Sequence, residues 1–233
     1  MAVKGNTFIY FLAPEGSGKS THIMLLALWL RKNGYNVRTT EIRSDNLFLE
    51  FFKKLLISMG RKEVVARPLG SKIIVPQRVI IKKIRYLWIF MQIPVAILLS
   101  VVHVFIPLAL GYMILAERYL LDTYIDILNM IRIFELKYKG VIKIVMRVLL
   151  YLIPKKTMII HLRAPYEVLL ERYATRGTPA EPKQWYCFQE RLDLFFNKLY
   201  NGVIINTSGR SIIETQSIIR DKVMKFINTP WQL

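Results

Sequence analysis

The chain has 233 residues, room for one domain and an insertion, and carries 34 Lys and Arg against 16 Asp and Glu, a formal net charge of +18. Hydrophobic residues are 53% of the chain and charged residues 21%, which excludes a disordered basic tail. The single cysteine, Cys187, excludes a disulfide framework and a zinc site of several thiolates, and points to a reducing compartment.

Taken from the N-terminus, Lys4 and the apolar run 8–13 resemble the start of a signal peptide. The run is too short for one, and Glu15 and Lys19 follow at once, so 7–12 (TFIYFL) is read as a buried first strand. Apolar residues at helical spacing predict a helix over 19–32, stopped by Gly34. A second strand over 37–42 and a helix over 46–59 follow. Residues 60–77, with Pro68, Gly70 and Pro76, offer only breaks. The stretch 89–116 then runs without a formal charge, and Pro107 and Gly111 divide it into a helix (95–106) and a buried strand (112–116). Helices are expected over 121–134, 141–153, 166–176, 183–200 and 212–227, with strands over 157–162 and 203–205. Strand and helix in alternation imply an α/β fold, a parallel sheet covered on both faces. The charge favours anionic partners in general, and the absence of an RNA-binding signature, zinc-finger spacing or internal repeat argues against nucleic acid.

Residues 13–20 read A-P-E-G-S-G-K-S, a phosphate-binding loop with alanine at the first glycine position. The loop follows a predicted strand and opens a predicted helix, as the motif requires. Gly16 and Gly18 let successive backbone N–H groups turn inward as an anion nest, and the helix dipole adds positive potential there. Pro14, Glu15, Gly16, Ser17, Gly18, Lys19, Ser20 and Thr21 are therefore the expected ATP-binding residues, with Lys19 reaching the phosphates and Ser20 offering its hydroxyl to Mg²⁺. Ala13 is compatible with the loop only at negative φ. Glu15 is a carboxylate inside a phosphate nest, which implies that it contacts something else, such as a sugar hydroxyl or a cation.

With Glu15 in the loop, Glu117-Arg118-Tyr119 at the end of a strand, Pro165 leading to Arg172, and Arg176-Gly177, the chain resembles the thymidylate kinases among the P-loop nucleoside monophosphate kinases. The resemblance runs over nearly the whole chain. It implies a single three-layer domain over 1–233, with a central parallel five-stranded sheet and a short lid at 172–185. It also implies transfer of the ATP γ-phosphate to dTMP or a related nucleotide, with ATP and Mg²⁺ as the cofactors. By the same resemblance, Lys19, Arg118, Arg172 and Arg176 are catalytic, Ser20 and Glu117 serve Mg²⁺, and Glu15, Arg43, Arg118, Tyr119, Asp122 and His103 face the acceptor. A cytoplasmic homodimer through the apolar helix 94–106 is the family expectation; peripheral contact with the inner membrane face is the other option.

The divergent part is 61–111. Where the family reads the base with polar residues, this chain has an apolar helix in which Gln92, Ser100 and His103 alone could hydrogen-bond. Two alternatives follow: a membrane-surface kinase of a hydrophobic or lipid-linked acceptor, and a non-catalytic nucleotide-binding homologue. About 20 apolar residues suffice to cross a bilayer, yet a crossing here would put Lys19 and Glu117 on opposite sides, so the run is expected not to span.

Overall fold

The computed structural model describes residues 6–42, 54–55, 57–60, 62–70, 72–76, 89, 92–133, 135, 137 and 140–229. Five parallel strands form the central sheet: β1 (Phe8–Leu12), β2 (Val37–Glu41), β5 (Met113–Arg118), β6 (Thr157–Arg163) and β7 (Val203–Asn206), in the order β2-β5-β1-β6-β7. Phe8 stands opposite Ile114 on one side and Thr157 on the other, so β1 is the central strand. All five of its side chains are buried, the signature of a strand covered on both faces.

Alternation along β1 divides the core. Phe8, Tyr10 and Leu12 face a layer made by α2 (Gln92–Ala109), α3 (Leu120–Ile133), α4 (Gly140–Tyr151) and α6 (Lys183–Leu199). Ile9 and Phe11 face α1 (Lys19–Lys32) and α7 (Ile212–Asn228). The three-layer α/β architecture expected from the sequence is therefore present, and it is that of a P-loop kinase. Helix α7 opens on a reciprocal cap in which Ser211 and Glu214 satisfy each other's backbone N–H groups. Helix α5 (Tyr166–Arg176) stands apart, with Leu169 and Tyr173 packed beside Ala164 and Ala180.

Two features differ from expectation. Residues 62–76, read as breaks, form an antiparallel hairpin of β3 (Lys62–Ala66) and β4 (Lys72–Pro76), turning at Pro68–Gly70 with Leu69 at φ 61°. Helix α2 is longer than 95–106. Pro107 has no N–H to return to the carbonyl of His103, and the helix widens to a π-turn over Val101–Phe105 before continuing to Ala109. It ends at Gly111, whose φ of 83° lets Tyr112 N–H return to the Pro107 carbonyl at 3.0 Å. Of the helix expected over 46–59, residues 46–53 and 56 lie outside the described residues.

Helix α1 leaves β1 on one face of the sheet and α3 leaves the neighbouring β5 on the other. The crevice between the carboxyl ends of β1 and β5 is thus the topological switch point, where α/β sheets bind their ligands.

Candidate active site

The loop between β1 and α1 has the backbone its sequence called for. Gly16 and Gly18 take φ values of 82° and 95°, a region in which a side chain is costly. Ala13 is not among the positive-φ residues, so the alanine fits the place of the first glycine. Ser17 closes the turn, its hydroxyl donating to the Pro14 carbonyl at 2.7 Å. The loop rests on its neighbours: a Cβ on Gly16 would stand 3.5 Å from Leu169, and one on Gly18 3.4 Å from His22. His22 is itself paired with Gln216 at 3.0 Å.

Lys19 is buried and donates to the Ala13 carbonyl, to which Gln189 also donates at 3.4 Å. Burial, and then the Arg118 guanidinium, pull its ammonium below the ordinary lysine value, while Asp122, Asp193 and Glu15 oppose them. Ser20 donates to the Glu117 carboxylate. A hydroxyl and a carboxylate are hard oxygen donors, the kind of set that holds Mg²⁺ through one or two protein ligands. Among the described residues no cluster of three or more His, Cys, Asp or Glu could hold a metal, so phosphate oxygens and water would complete the shell.

Arg118, at the end of β5, is the hub of the site. It pairs with Glu15 and lies 3.9 Å from both Glu41 and Asp122. Burial works against its charge, yet Asp122, Glu15, Asp126 and Glu41 together raise its pKa above the usual arginine value. Asp122 is fixed in turn: the Tyr10 hydroxyl and the Tyr119 N–H, at 3.1 Å, both donate to Oδ2. Burial and the Asp122 carboxylate push the Tyr10 phenol well above its ordinary value.

Two clefts meet at this arginine. One of about 450 Å³ is lined by residues 14–21, Glu117, Arg118, Tyr173, Arg176 and Thr178. The other, about 530 Å³, is bounded by Glu15, Arg118, Asp122, Asp126, Asn129 and Arg132, with the hairpin residues Val65 and Arg67, Glu181 just before α6, and Trp185 in its first turn. Glu15 and Arg118 line both. Arg67 of the hairpin is paired with Glu181 across the second cleft. Burial raises the Glu181 carboxyl above its usual range, and Arg67 pulls it back. A third hollow, about 220 Å³, continues from the loop past Arg172, Arg176, Thr207 and Arg210.

The structure thus gathers most of the predicted residues in one place. All of 14–21 line the first cleft with Glu117, Arg118 and Arg176; Asp122 lines the second. Tyr119 is buried, its hydroxyl donating to the Leu152 carbonyl at 2.8 Å. Arg172 binds protein rather than open space, donating to the Gly16 carbonyl at 3.1 Å and to Thr207 Oγ1 and O at 3.2 and 3.0 Å. His103 is exposed on the π-turn of α2 and lines neither cleft. Arg43 lies outside the described residues.

Several site residues escaped the sequence reading: Arg67, Glu181, Trp185, Tyr173 and the polar stripe of α6. On that helix Gln189, Glu190, Asp193 and Asn197 are buried at helical spacing. Asp193 is fully buried, and burial followed by the Asp122 charge pushes its carboxyl well above the carboxylate range. His161 Nε2 lies 3.6 Å from Glu190 and 3.9 Å from Asp193. A helix with carboxylates on its apolar face was the signal available.

Two curated proteins share a segment with the chain. A probable thymidylate kinase of Thermococcus gammatolerans is 36% identical over 58 residues, 25% of this chain and 28% of that protein. A probable thymidylate kinase of Thermococcus onnurineus is 34% identical over 58 residues, with the same coverage. The chain thus matches little more than a quarter of these relatives' own length. No family model matches it.

Proposed function

We propose that the chain is a P-loop phosphotransferase that moves the γ-phosphate of ATP onto a nucleoside monophosphate, with dTMP the leading acceptor. The observation that carries this reading is the shared wall: Glu15 and Arg118 line both the phosphate-loop cleft and the second cleft. A donor and an acceptor lying on either side would meet at Arg118. The segment shared with two probable thymidylate kinases supports the same choice of acceptor.

The chemistry asks little of the protein beyond position and charge. The acceptor phosphate oxygen attacks the γ-phosphorus while the bond to the β–γ bridging oxygen breaks, and ADP leaves. An ionised phosphate is already a nucleophile, so no general base is needed. Backbone N–H groups of 16–20 and Lys19 hold the donor phosphates, and Lys19 exchanges the Ala13 carbonyl for them. Arg118 holds the acceptor phosphate in place of one of its carboxylates, and Glu15 is left to accept from the acceptor's sugar. Arg176, which lines the donor cleft, supplies charge to the transferring group. Arg172 positions the loop through the Gly16 carbonyl. Mg²⁺, held through Ser20 and Glu117, would neutralise the donor phosphates.

The acceptor cleft is lined by charged groups from Glu15, Arg67, Arg118, Asp122, Asp126, Arg132 and Glu181. Such a lining suits a polar acceptor over a hydrophobic one. The test is ADP release measured across dTMP, dUMP, UMP, CMP and AMP. Acceptor-dependent turnover, abolished in Lys19→Ala, is expected; no turnover with any of the five overturns the reading.

A further inference from the structure

Helix α2 has two unlike faces. Ala96, Ser100 and Val104 are fully buried against the sheet layer. On the opposite side Leu98, Val102, Ile106 and Leu110 recur every four residues and are 61%, 44%, 49% and 68% exposed. No formal charge interrupts that stripe, because residues 89–116 contain none. A solvent-facing helix stripe is ordinarily polar, and a run of large exposed aliphatic residues marks an interaction surface. By length and composition α2 suits a bilayer span, but its inner face belongs to the protein core and it leads directly into the sheet strand that carries Glu117 and Arg118. It is placed to lie on a surface.

The surrounding charge says which surface. Between Glu63 and Glu117 the chain has no acidic residue, and the segment leading into α2 carries Arg78, Lys82, Lys83 and Arg85. Between Glu135 and Glu167 there is again none. Within that second stretch lies α4, which packs into the same layer as α2 and presents Lys143, Ile144, Arg147 and Tyr151 to solvent. The apolar stripe of α2 and the basic face of α4 therefore belong to one side of the sheet. A second copy brought to this face would meet the same sign of charge in a molecule already at +18. An anionic bilayer meets the aliphatic stripe with acyl chains and the flanks with phosphate headgroups.

We infer that the outer face of the α2–α4 layer docks the protein peripherally on anionic phospholipid bilayers. The test is flotation of the full chain with vesicles of phosphatidylcholine alone or with about one third phosphatidylglycerol. Wild type is expected to partition onto the anionic vesicles about tenfold or more better than onto the neutral ones, each basic side chain near the surface contributing. Leu98→Asp/Val102→Asp is expected to lower binding to both about tenfold or more. Lys143→Glu/Arg147→Glu, on a different helix, is expected to lose about tenfold on anionic vesicles only. Circular dichroism melting and sedimentation velocity of each variant accompany the flotation. Wild type that stays soluble with anionic vesicles, or binds both kinds equally, overturns the inference. A wild-type dimer that Leu98→Asp/Val102→Asp dissociates, without vesicle binding, also overturns it and assigns the face to a second copy.

Discussion

Removing Arg118 separates the roles the site combines. Its side chain is 14% exposed and faces Glu15, Asp122 and Glu41, of which Asp122 is 10% exposed and the other two nearly half exposed. On the proposed function, Arg118→Ala deletes one charge-stabilising donor at the transfer point, which costs about 10²–10³ in rate, roughly 3–4 kcal/mol. The same change removes the Arg118 cation from beside three carboxylates. Glu15 and Glu41 are open enough for water to screen them, so their share is small. Asp122 is nearly enclosed, but it keeps the Tyr10 hydroxyl and the Tyr119 N–H. The stability loss should therefore stay at about 1–3 kcal/mol, at about 2–4 °C of melting temperature for each.

The assay is ADP release at saturating ATP with the best acceptor varied, beside ATP affinity from a fluorescent nucleotide analogue. The acceptor kcat/KM should fall by at least about a hundredfold while ATP affinity changes little, because Lys19 and the loop N–H groups remain. Arg118→Lys should restore more of the melting temperature than of the rate, since an ammonium keeps the charge without the planar fork. A loss of less than about tenfold in acceptor kcat/KM, or an equal collapse of ATP affinity, would refute the placement of Arg118 between two substrates.

Three other substitutions test the supports of the site. Asp193 has a folded pKa raised above its unfolded value, so its contribution to stability is lost as pH rises out of the carboxylate range; Asp193→Asn should gain melting temperature over wild type progressively as pH rises above the unfolded carboxylate value of about 4, and a flat difference would sink the argument. The Arg67–Glu181 pair is 22% and 31% exposed, and a double-mutant cycle in thermal unfolding should give a coupling of about 0.2–1 kcal/mol, with acceptor KM rising more than ATP KM in Arg67→Ala. Gly18→Ala forces a side chain to φ 95° against His22, at about 1–2 kcal/mol of backbone strain; nucleotide affinity should fall in isothermal titration while the fold persists.

The sheet and its flanking helices were legible because periodicity carries them: the buried run of β1, the phosphate-loop glycines and the helical spacing over 19–32 all state their place locally. The phosphate loop was legible for a further reason, that its chemistry sits in contiguous residues. The hairpin escaped because Pro68, Gly70 and Pro76 read as interruptions, although KEVVA and KIIVP are β-rich runs on either side of a turn. Asp193, Arg67 and Glu181 were not legible. Their meaning depends on which distant element each meets, and only the fold brings the hairpin to Glu181 or α6 beneath Lys19. For Arg172 the expected contact with a transferring phosphate and the observed hold on Gly16 and Thr207 call for the same residue type, which pattern alone does not separate.

On the proposed function, base selectivity falls to the second cleft. The apolar helix that stands where a base-reading helix was expected lies in the outer layer, with His103 facing solvent; the cleft is walled by α3, the hairpin and the start of α6. With the acceptor phosphate at Arg118, a base reaching along α3 would meet Asp126 and Asn129, one and two turns beyond Asp122. The Arg132 guanidinium donates to Asn129 Oδ1 at 3.2 Å, which occupies the amide's acceptor and leaves its N–H₂ group as the donor. An oriented amide donates selectively to a carbonyl edge of a base. Asn129→Ala should therefore change the ratio of kcat/KM between dTMP, whose base has carbonyls, and AMP, whose base has none, by about fivefold, the worth of one net hydrogen bond, with ATP KM unaltered. An equal fall for every acceptor would assign Asn129 to holding Arg132 and move selectivity elsewhere in the cleft.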